Sequence, residues 1–424
     1  MIHDSGQLDE VRRIASCFDI PEPLEVDDFP EKGNINQRTY LITAGLSANR
    51  TQYLLQQLNP DVFSLPHAVM DTMVSCIQAQ EEALSRGIIR DSEWETIRLV
   101  QTRDGKRYFH RSDGNECWRV MVRIGHAFTF RSLREITDPG RRLRIAEEAG
   151  RGLALFGSLT AGMDVSRITC PLPGYRDTEL YYNQLSSVLS GARTRLECEA
   201  YLPSDPVVRN STETHFLIRL NPTEYRRRLE DPQVRRIIEL ALQQKPFGLT
   251  LTRQLKAGKL KKVIIHGDTK LDNFLFSTKT GKVKALVDLD TVMPHTWLSD
   301  WGDMVRSLVN VAGERERDLE KVDVDEEIFR AIAKGFLGSA RHADSGEIEL
   351  MVDAVQVMAL ELGVRFLADY LRGDTYFKLK AGEPPDLNKS RALVQFCVFE
   401  RLRSKARSLT ADLRRLSRKN RQTP

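Results

Sequence analysis

Residues 263–290 read VIIHGDTKLDNFLFSTKTGKVKALVDLD and constrain the fold more than any other part of this 424-residue chain. An apolar run leads into the polar turn HGDTKLDN, a second apolar run follows, and a turn at Gly281 precedes a third run that ends in aspartates. This alternation predicts a strand, a polar loop and a short hairpin with a carboxylate at its far end. We therefore expect Asp268, Asn273 and Asp288 to lie close together.

Two carboxylates and an amide in this arrangement suit phosphoryl transfer, which needs positioning, Mg²⁺ and a carboxylate beside the attacking hydroxyl. Because Mg²⁺ takes only a few oxygen ligands from protein, Asn273 and Asp288 can supply them, which leaves Asp268 for the hydroxyl. His266, Asp268 and Asn273 also match the kinase loop HxDxxxxN, and Lys270 follows Asp268 by two residues. The alternative is a surface hairpin with ordinary polar turn residues, but the complete set favours the kinase interpretation.

Length and composition set the class of protein. A single hydrophobic core rarely grows beyond roughly 250–300 residues, so 424 residues predict two lobes or domains. Hydrophobic residues make up 41% and charged residues 29%, as in globular proteins, and a net charge of +4 does not indicate nucleic-acid binding. The chain lacks the patterns GxxxxGKS and GxxxxGKT, which excludes a Walker-type phosphate site.

Cysteine spacing and the start of the chain indicate the compartment. The six cysteines show neither CxxC nor Cys/His spacing, so we expect reduced thiols instead of disulfides or a zinc site. The first residues include acidic side chains and lack the apolar core of a signal peptide. No window approaches the roughly 18 apolar residues of a membrane span. These features predict a cytoplasmic protein that does not enter a membrane.

The motifs resemble a known superfamily. HGDTKLDN, VDLDTVMP and DWGD are similar to the aminoglycoside phosphotransferase and choline kinase superfamily. GNINQRTYLI, YLLQQLNPDVF, WRVM, LPGYRDTELYY and ELGVRFLADYLRGDTYF resemble, in order, the N-acetylhexosamine 1-kinase group over most of residues 30–400. The resemblance implies an α+β, bilobal protein-kinase-like fold. A small β-rich N-lobe would span residues 1–124 and a larger helical C-lobe residues 125–424, with ATP and Mg²⁺ in the cleft.

A Gly-containing turn near the N-terminus is the predicted cover of the nucleotide phosphates. The segment GNIN at residues 33–36 leads into the strand TYLI, and backbone N–H groups in such a turn can bind phosphate oxygens. The alternative is a plain β-turn, but the resemblance places a phosphate-covering turn here. We assign Gly33, Asn34 and Asn36 to the nucleotide.

The predicted third strand, YLLQQL, departs from the kinase pattern. Kinases carry a lysine here that pairs with the nucleotide phosphates and with a helix Glu, whereas this chain has Gln56 and Gln57. A glutamine can donate a hydrogen bond to phosphate but brings no charge, so the charge-assisted part of the interaction is lost. We assign Gln57 and Arg123 to the nucleotide site, and Lys32 or Arg38 is a candidate for the missing charge.

The resembled sugar kinases imply acceptor contacts from the late motif. The Arg of GVRF and the Tyr after GD contact the hexosamine in that group, and these residues are Arg365 and Tyr376 here. An ion pair on a helix surface is the alternative for Arg365. Asp290 lies two residues beyond Asp288 and would share its strand face, toward the acceptor, unless it is a turn residue at the strand end.

Supporting roles are predicted around the catalytic loop. In the superfamily an aspartate of the DWGD motif hydrogen-bonds the backbone of the loop, and Asp300 or Asp303 is the candidate. We assign His266 a structural role as well. The resembled group has a histidine where Arg176 stands, so no role is assigned to Arg176.

Periodicity places the remaining elements. It predicts helices over residues 1–20, 66–83, 140–162 and 349–371, a hairpin around the Asp-Gly turn at residues 103–105, and a strand over residues 117–124. The basic segment 401–424 predicts a partly frayed terminal helix, in preference to a surface for acidic partners or membranes.

These inferences lead to one predicted function and two alternatives. We expect transfer of the ATP γ-phosphoryl group to a small-molecule hydroxyl, and the resemblance implies the anomeric hydroxyl of an N-acetylhexosamine. Choline, an aminoglycoside or homoserine is an alternative acceptor, although choline favours an aromatic cage and no dense aromatic cluster follows Asp303. The glutamines of the third strand also leave open a pseudokinase that acts as an interaction scaffold.

Overall fold

The computed structural model describes residues 5–22, 24–30, 33, 35–46, 50–89, 91–111, 116–340 and 343–422. Asn34 and Lys32, which the sequence places near the nucleotide, lie outside the described residues. Among the described helices, none combines the length and apolar character needed to cross a membrane.

The N-terminal lobe is an antiparallel sheet with flanking helices. Its elements are α1 (Ser5–Ala15), β1 (Leu24–Asp28), β2 (Thr39–Ala44), β3 (Thr51–Gln57), α2 (Pro66–Ser85), β4 (Leu99–Val100), β5 (Phe109–His110) and β6 (Cys117–Val122). The strands are hydrogen-bonded in the order β1-β2-β3-β6-β4, and β5 also pairs with β6. The strands predicted around TYLI, YLLQQL and CWRVMVRI are therefore confirmed, as is the helix predicted from residue 66.

The two faces of this sheet have different neighbours. Tyr53 and Leu55 of β3 and Trp118 of β6 belong to a buried cluster that includes Val11 of α1. Residues one position along each strand point the other way, because side chains alternate across a sheet. On that face Arg119 contacts the sulfur of a methionine in α2. The sheet thus has an α1 face and an α2 face.

The hairpin predicted around residues 103–105 is wrong in its pairing. The turn itself is present, with the Gly105 N–H donating to the Thr102 carbonyl at 2.8 Å. However, β4 and β5 both run antiparallel to β6, so they run in the same direction as each other. Two such strands cannot form an antiparallel hairpin, and β6 takes the place of the expected partner.

The C-terminal lobe is mainly helical. Its helices are α3 (Pro139–Leu159), α4 (Thr178–Leu189), α5 (Arg195–Cys198), α6 (Pro206–Thr212), α7 (Pro222–Glu230), α8 (Pro232–Gly248), α9 (Thr250–Lys256), α10 (Trp297–Val309), α11 (Glu326–Ser339), α12 (Ser345–Glu349), α13 (Met351–Arg372) and α14 (Leu387–Gln422). Its strands are β7 (Ala127–Phe128), β8 (Val263–Ile265), β9 (Phe274–Ser277), β10 (Val283–Leu286) and β11 (Met293–His295). The whole chain therefore has a bilobal α+β, protein-kinase-like architecture.

Short strands position the polar loop that the sequence singled out. β9 and β10 form the predicted antiparallel hairpin, and β7 pairs with the outer edge of β9. β8 pairs with β11, which begins three residues beyond Asp290. The loop between β8 and β9 is thus fixed at both ends by sheet hydrogen bonds.

The helix predicted at the C-terminal end is confirmed within the described residues. Leu402, Leu409 and Leu413 of α14 are buried in the main core, which they share with the central helix α13. Arg414 pairs with Glu349 at 2.6 Å on the surface. As far as Leu413 this helix is packed, because the spaced leucines form an apolar stripe that the rest of the lobe covers.

Helices α3 and α11 cross at unusually small residues. A Cβ atom added to Gly335 would lie 1.8 Å from the Glu147 carbonyl oxygen, whereas a Cβ atom at Gly338, on the same helix, would meet nothing within 4 Å. The backbones approach so closely that only glycine fits at the crossing.

We predict that Gly335→Ala lowers the free energy of unfolding by about 3 kcal/mol, because the two helices must separate. Gly338→Ala should be neutral or slightly stabilising, since alanine favours helix and has room here. Chemical denaturation of both variants measures the difference. Equal denaturation midpoints would mean that the α3–α11 crossing does not require glycine at position 335.

Candidate active site

The loop between β8 and β9 brings two of the predicted site residues together. Asn273 ends the 3₁₀ turn Leu271–Asn273, and its Nδ2 donates to the Asp268 carbonyl at 2.8 Å and to the Asp268 carboxylate at 3.2 Å. Lys270 Nζ lies 3.0 Å from the same carboxylate. Since Nδ2 faces Asp268, the Asn273 side-chain oxygen is directed elsewhere and can accept a cation.

Asp288 follows β10 and faces the same region. The residue has a left-handed φ of 65°, and the N–H of Val287 donates to the Asn273 carbonyl at 2.9 Å. Burial first, and then Asp290 and Asp268, raise the pKa of Asp288 to about 7, while Lys270 and Arg119 oppose the shift. The backbone bond from Val287 to Asn273 joins the residue before Asp288 to the loop.

Asp300 holds the backbone of the loop. Its carboxylate accepts the N–H groups of His266 at 2.6 Å and Gly267 at 2.8 Å. The His266 ring lies between segments, because Nε2 donates to the Val287 carbonyl at 2.9 Å while Nδ1 accepts from the Asp268 N–H at 3.3 Å. Asp300 thus occupies the place expected for the supporting aspartate, and His266 links the loop to the residue before Asp288.

Arg176 is a positioning residue that the sequence did not assign. It is 5% exposed, and one guanidinium nitrogen donates to both the Gly267 carbonyl and the Asp303 carboxylate at 2.7 Å. Its other terminal nitrogen lies 3.5 Å from Glu361. Burial opposes ionisation of Asp303, but Arg176 and Arg306 outweigh it and lower the pKa. Asp303 therefore reaches the loop only through Arg176.

Gln57 and Arg123 are not beside the catalytic loop. Gln57 lies opposite Trp118 in the β3–β6 pairing, so its side chain belongs to the α1 face of the sheet. Gln56, one residue earlier, is on the α2 face. Arg123 is exposed and donates to the Gln52 side chain at 2.6 Å, at the other end of β3. Alternation along β3 therefore places Gln56, and not Gln57, on the α2 face.

Arg38 does not supply the charge missing from β3. It forms ion pairs with Glu10 at 3.2 Å and Glu116 at 3.4 Å, and its guanidinium lies 4.7 Å from the Trp118 ring centroid. All three partners are on the α1 side of the sheet. Gly33 is exposed in the described structure, and Asn36, three residues later, is buried.

Asp290 contacts the N-terminal lobe and not an acceptor pocket. It lies in the 3₁₀ turn Leu289–Thr291 and is 2% exposed. One carboxylate oxygen is 2.5 Å from Arg119, and the other accepts from Asn36 Nδ2 at 2.6 Å. The expected face shared with Asp288 does not exist, because the left-handed residue at position 288 ends the strand alternation. Asn36 was expected beside the nucleotide and Asp290 beside the acceptor, but the two side chains contact each other.

Arg365 lies in a cluster of aromatic rings. Its guanidinium carbon is 4.7 Å from the ring centroid of Tyr181, 5.4 Å from those of Tyr376 and Phe377, and 5.5 Å from that of Tyr175. It also donates to the Tyr376 hydroxyl at 3.2 Å. We call these five residues the aromatic cluster. The sequence expectation concerned only residues after Asp303, whereas two of these four rings, Tyr175 and Tyr181, come from a segment before the catalytic loop.

The aromatic cluster is joined to the catalytic loop. The Tyr175 hydroxyl donates to the Gly267 carbonyl at 2.8 Å, one residue before Asp268. Burial raises the pKa of Tyr175, and Asp268 adds to the effect, so the phenol stays protonated. Arg365 and Tyr376 are therefore linked, through Tyr175, to the loop that carries Asp268.

Asp369 fixes the segment that carries two of the rings. Its carboxylate accepts the N–H groups of Thr375 at 3.1 Å, Tyr376 at 3.0 Å and Phe377 at 2.7 Å. Gly373 ends α13 at a φ of 121°, which turns the chain back toward that carboxylate. This glycine turn explains how residues after the helix return to Arg365.

The fold and this cleft define a kinase-like phosphotransferase. Residues 107–324, just over half of the chain, match the family described as "Phosphotransferase enzyme family". The chain belongs to that family.

Solved structures of other proteins are similar in fold. One is a microcompartment-associated aminopropanol kinase, with 14% identity, a TM-score of 0.52, and 96% of this chain and 99% of that chain covered. An ethanolamine kinase from Plasmodium vivax has 12% identity and a TM-score of 0.48 over 90% of this chain and 84% of that one. A choline kinase from Streptococcus pneumoniae has 12% identity and a TM-score of 0.45 over 95% and 100%.

We predict that Arg176→Met lowers the free energy of unfolding by about 3–5 kcal/mol, because it leaves buried carboxylates unpaired. It should also release the Gly267 carbonyl and speed hydrogen exchange at the N–H groups of residues 266–268. Arg306→Met is the matched control: Arg306 pairs with the other oxygen of Asp303 at 2.6 Å but does not touch the loop. Equal hydrogen-exchange rates in both variants would show that Arg176 does not hold the loop backbone.

Proposed function

We propose that this protein is a small-molecule kinase that transfers the γ-phosphoryl group of ATP to an acceptor hydroxyl in the presence of Mg²⁺. The observations that support the proposal are the hydrogen bond from Asn273 to the Asp268 carboxylate, the backbone bond that joins Asn273 to the residue before Asp288, and membership of a phosphotransferase family. Phosphoryl transfer depends mainly on positioning and charge neutralisation, and this cleft is arranged for both.

Asp268 is the proposed catalytic base. It accepts the hydroxyl proton while the acceptor oxygen bonds to the γ-phosphorus and the bond to the ADP oxygen breaks, so the products are the phosphoester, ADP and a proton. Lys270, 3.0 Å away, orients the carboxylate and adds positive charge beside the transferred group. Burial opposes the charge of Lys270, but Asp268, Asp272 and Asp288 outweigh it and raise its pKa.

Asn273 and Asp288 are the proposed magnesium ligands. No described hydrogen-bond donor contacts the Asp288 carboxylate, and the Asn273 side-chain oxygen is turned away from Asp268, so both oxygens suit a hard cation. Bound Mg²⁺ would neutralise charge on the phosphates. The described residues contain no group of three His, Cys, Asp or Glu side chains placed to hold a metal. An amide and one carboxylate would leave the remaining positions of Mg²⁺ to phosphate and water.

The aromatic cluster is the proposed acceptor pocket. Arg365 already places a cation among its rings, and burial lowers the pKa of the adjacent His215 to about 3, so that ring stays neutral. A choline or aminoglycoside ammonium group would be repelled by Arg365, whereas hydroxyl and amide oxygens can accept from it. We therefore favour a neutral sugar, and the motif resemblance suggests the anomeric hydroxyl of an N-acetylhexosamine.

We place the boundary between the lobes at residues 124 and 125. β6 ends at Val122, and Lys284 Nζ in β10 donates to the Gly125 carbonyl at 2.8 Å. Lys284 also pairs with Glu95 at 2.9 Å, on the N-terminal side. These contacts suit a connecting segment beside which the adenine would bind.

We predict that Asp268→Asn lowers turnover by about 100- to 10,000-fold, because the carboxylate that takes the proton is lost. The stabilisation of the chain by MgATP should remain. ADP release and thermal unfolding with MgATP measure the two effects. Unchanged turnover would exclude Asp268 as the base, and wild-type protein that neither shifts nor turns over acceptors would favour the scaffold alternative.

We predict that Arg365→Met raises the acceptor KM by about 10- to 100-fold and leaves the ATP KM unchanged, since one charge-assisted hydrogen bond to the acceptor is lost. The acceptor is first identified with a panel of N-acetylhexosamines, choline, ethanolamine, homoserine and an aminoglycoside. Products are detected by a method that distinguishes anomers. Arg391→Met is the control, because Arg391 also lies over Phe377, at 5.1 Å, but pairs with Glu314. Turnover of choline in preference to sugars would contradict the assignment.

A further inference from the structure

The cleft lacks the ion pair that usually joins β3 to the helix beside it. In protein kinases a β3 lysine and a helix glutamate must both be in place for activity. Here β3 carries Gln56 on its α2 face, and α2 presents Met73 at the corresponding contact. The nearby buried cation is Arg119, which comes from the neighbouring strand β6.

Arg119 contacts three elements at once. Its Nε and Nη2 donate to the Gln56 side-chain oxygen at 3.1 and 2.5 Å, and Nη1 lies 3.2 Å from the Met73 sulfur and 2.5 Å from Asp290. The side chain is 1% exposed. Burial opposes its charge, yet Asp290 and Asp288 outweigh burial and raise the pKa of Arg119. All three guanidinium nitrogens therefore contact protein atoms.

Asp290 extends the same network to the predicted phosphate-covering turn. Its second oxygen accepts from Asn36 Nδ2 at 2.6 Å, and the Asn36 side-chain oxygen accepts from the Asn59 N–H after β3 at 2.9 Å. Asn36 is three residues beyond Gly33. One carboxylate, two residues past the proposed magnesium ligand Asp288, thus joins β6 to the segment that would lie over the phosphates.

We propose that the Arg119–Asp290 pair is an interlobe clasp that replaces the missing lysine–glutamate pair. Arg119 acts as a positioning residue: it holds the metal-binding turn against the N-terminal sheet, and Asn36 aligns the phosphate-covering turn with both. This role rests on the proposed kinase function. It also accounts for the glutamines of β3, since Gln56 serves as an acceptor for Arg119 and not as a phosphate ligand.

The test is a double-mutant cycle with Arg119→Met, Asp290→Asn and the double variant, measured in the full chain. If the two residues form one clasp, each single change lowers kcat by about 100-fold with little change in acceptor KM, and the double variant is no worse than either. Without ligand, each single change lowers the unfolding midpoint by roughly 5 °C, and the double loses less than the sum.

Arg38→Met is the matched control, because Arg38 is an ion-paired arginine on the opposite face of the same sheet. It should lower the unfolding midpoint while kcat stays within about twofold of wild type, since its partners lie away from the cleft.

Three results would overturn the clasp. Additive changes in kcat, with loss of the MgATP-induced shift in Arg119→Met alone, would mean that Arg119 binds phosphate directly. Variants that lose stability but keep kcat would make the pair merely structural, and additive unfolding midpoints would mean that it is not coupled. Wild-type protein that binds MgATP but turns over no acceptor would instead refute the proposed function. The double-mutant cycle of unfolding midpoints would still show whether Arg119 and Asp290 are coupled.

Discussion

The backbone of Gly267 is held both at its N–H and at its carbonyl, and the arrangement of the cleft depends on these contacts. Its N–H donates to Asp300 at 2.8 Å, and its carbonyl accepts from Arg176 at 2.7 Å and Tyr175 at 2.8 Å. Gly267 has a φ of 85°, and a Cβ atom there would lie 2.5 Å from the Thr291 carbonyl oxygen. The residue before Asp268 therefore has to be glycine, and two separate segments, residues 175–176 and Asp300, fix its orientation.

The structure buries three arginines in three different environments. Arg176 is surrounded by carboxylates, Arg119 by a carboxylate and an amide oxygen, and Arg365 by aromatic rings. Burying a charge is unfavourable unless its partners compensate, and each set of partners does so in a different way. A guanidinium suits these sites better than an ammonium because its planar donors reach several partners at fixed angles.

The parts of this structure that the sequence predicted are local. The hairpin β9–β10 and the spacing between Asp268 and Asn273 follow from short apolar runs and turn residues, which neighbours in sequence control. The pairing of Arg119 with Asp290 joins residues 171 positions apart, and the aromatic cluster joins Tyr175 to Tyr376. Sequence periodicity carries no information on such contacts, and the face chosen by Gln57 depended on a pairing register that only the assembled sheet defines.

Tyr175 connects the aromatic cluster to the catalytic loop. Its hydroxyl holds the Gly267 carbonyl, while its ring lies 5.5 Å from the guanidinium carbon of Arg365. A molecule that pushed between this ring and Arg365 would therefore also pull on the peptide beside Asp268. Under the proposed function, an acceptor held by hydrogen bonds at the edge of the guanidinium would leave that peptide undisturbed, which favours a polyol over a cation that enters among the rings.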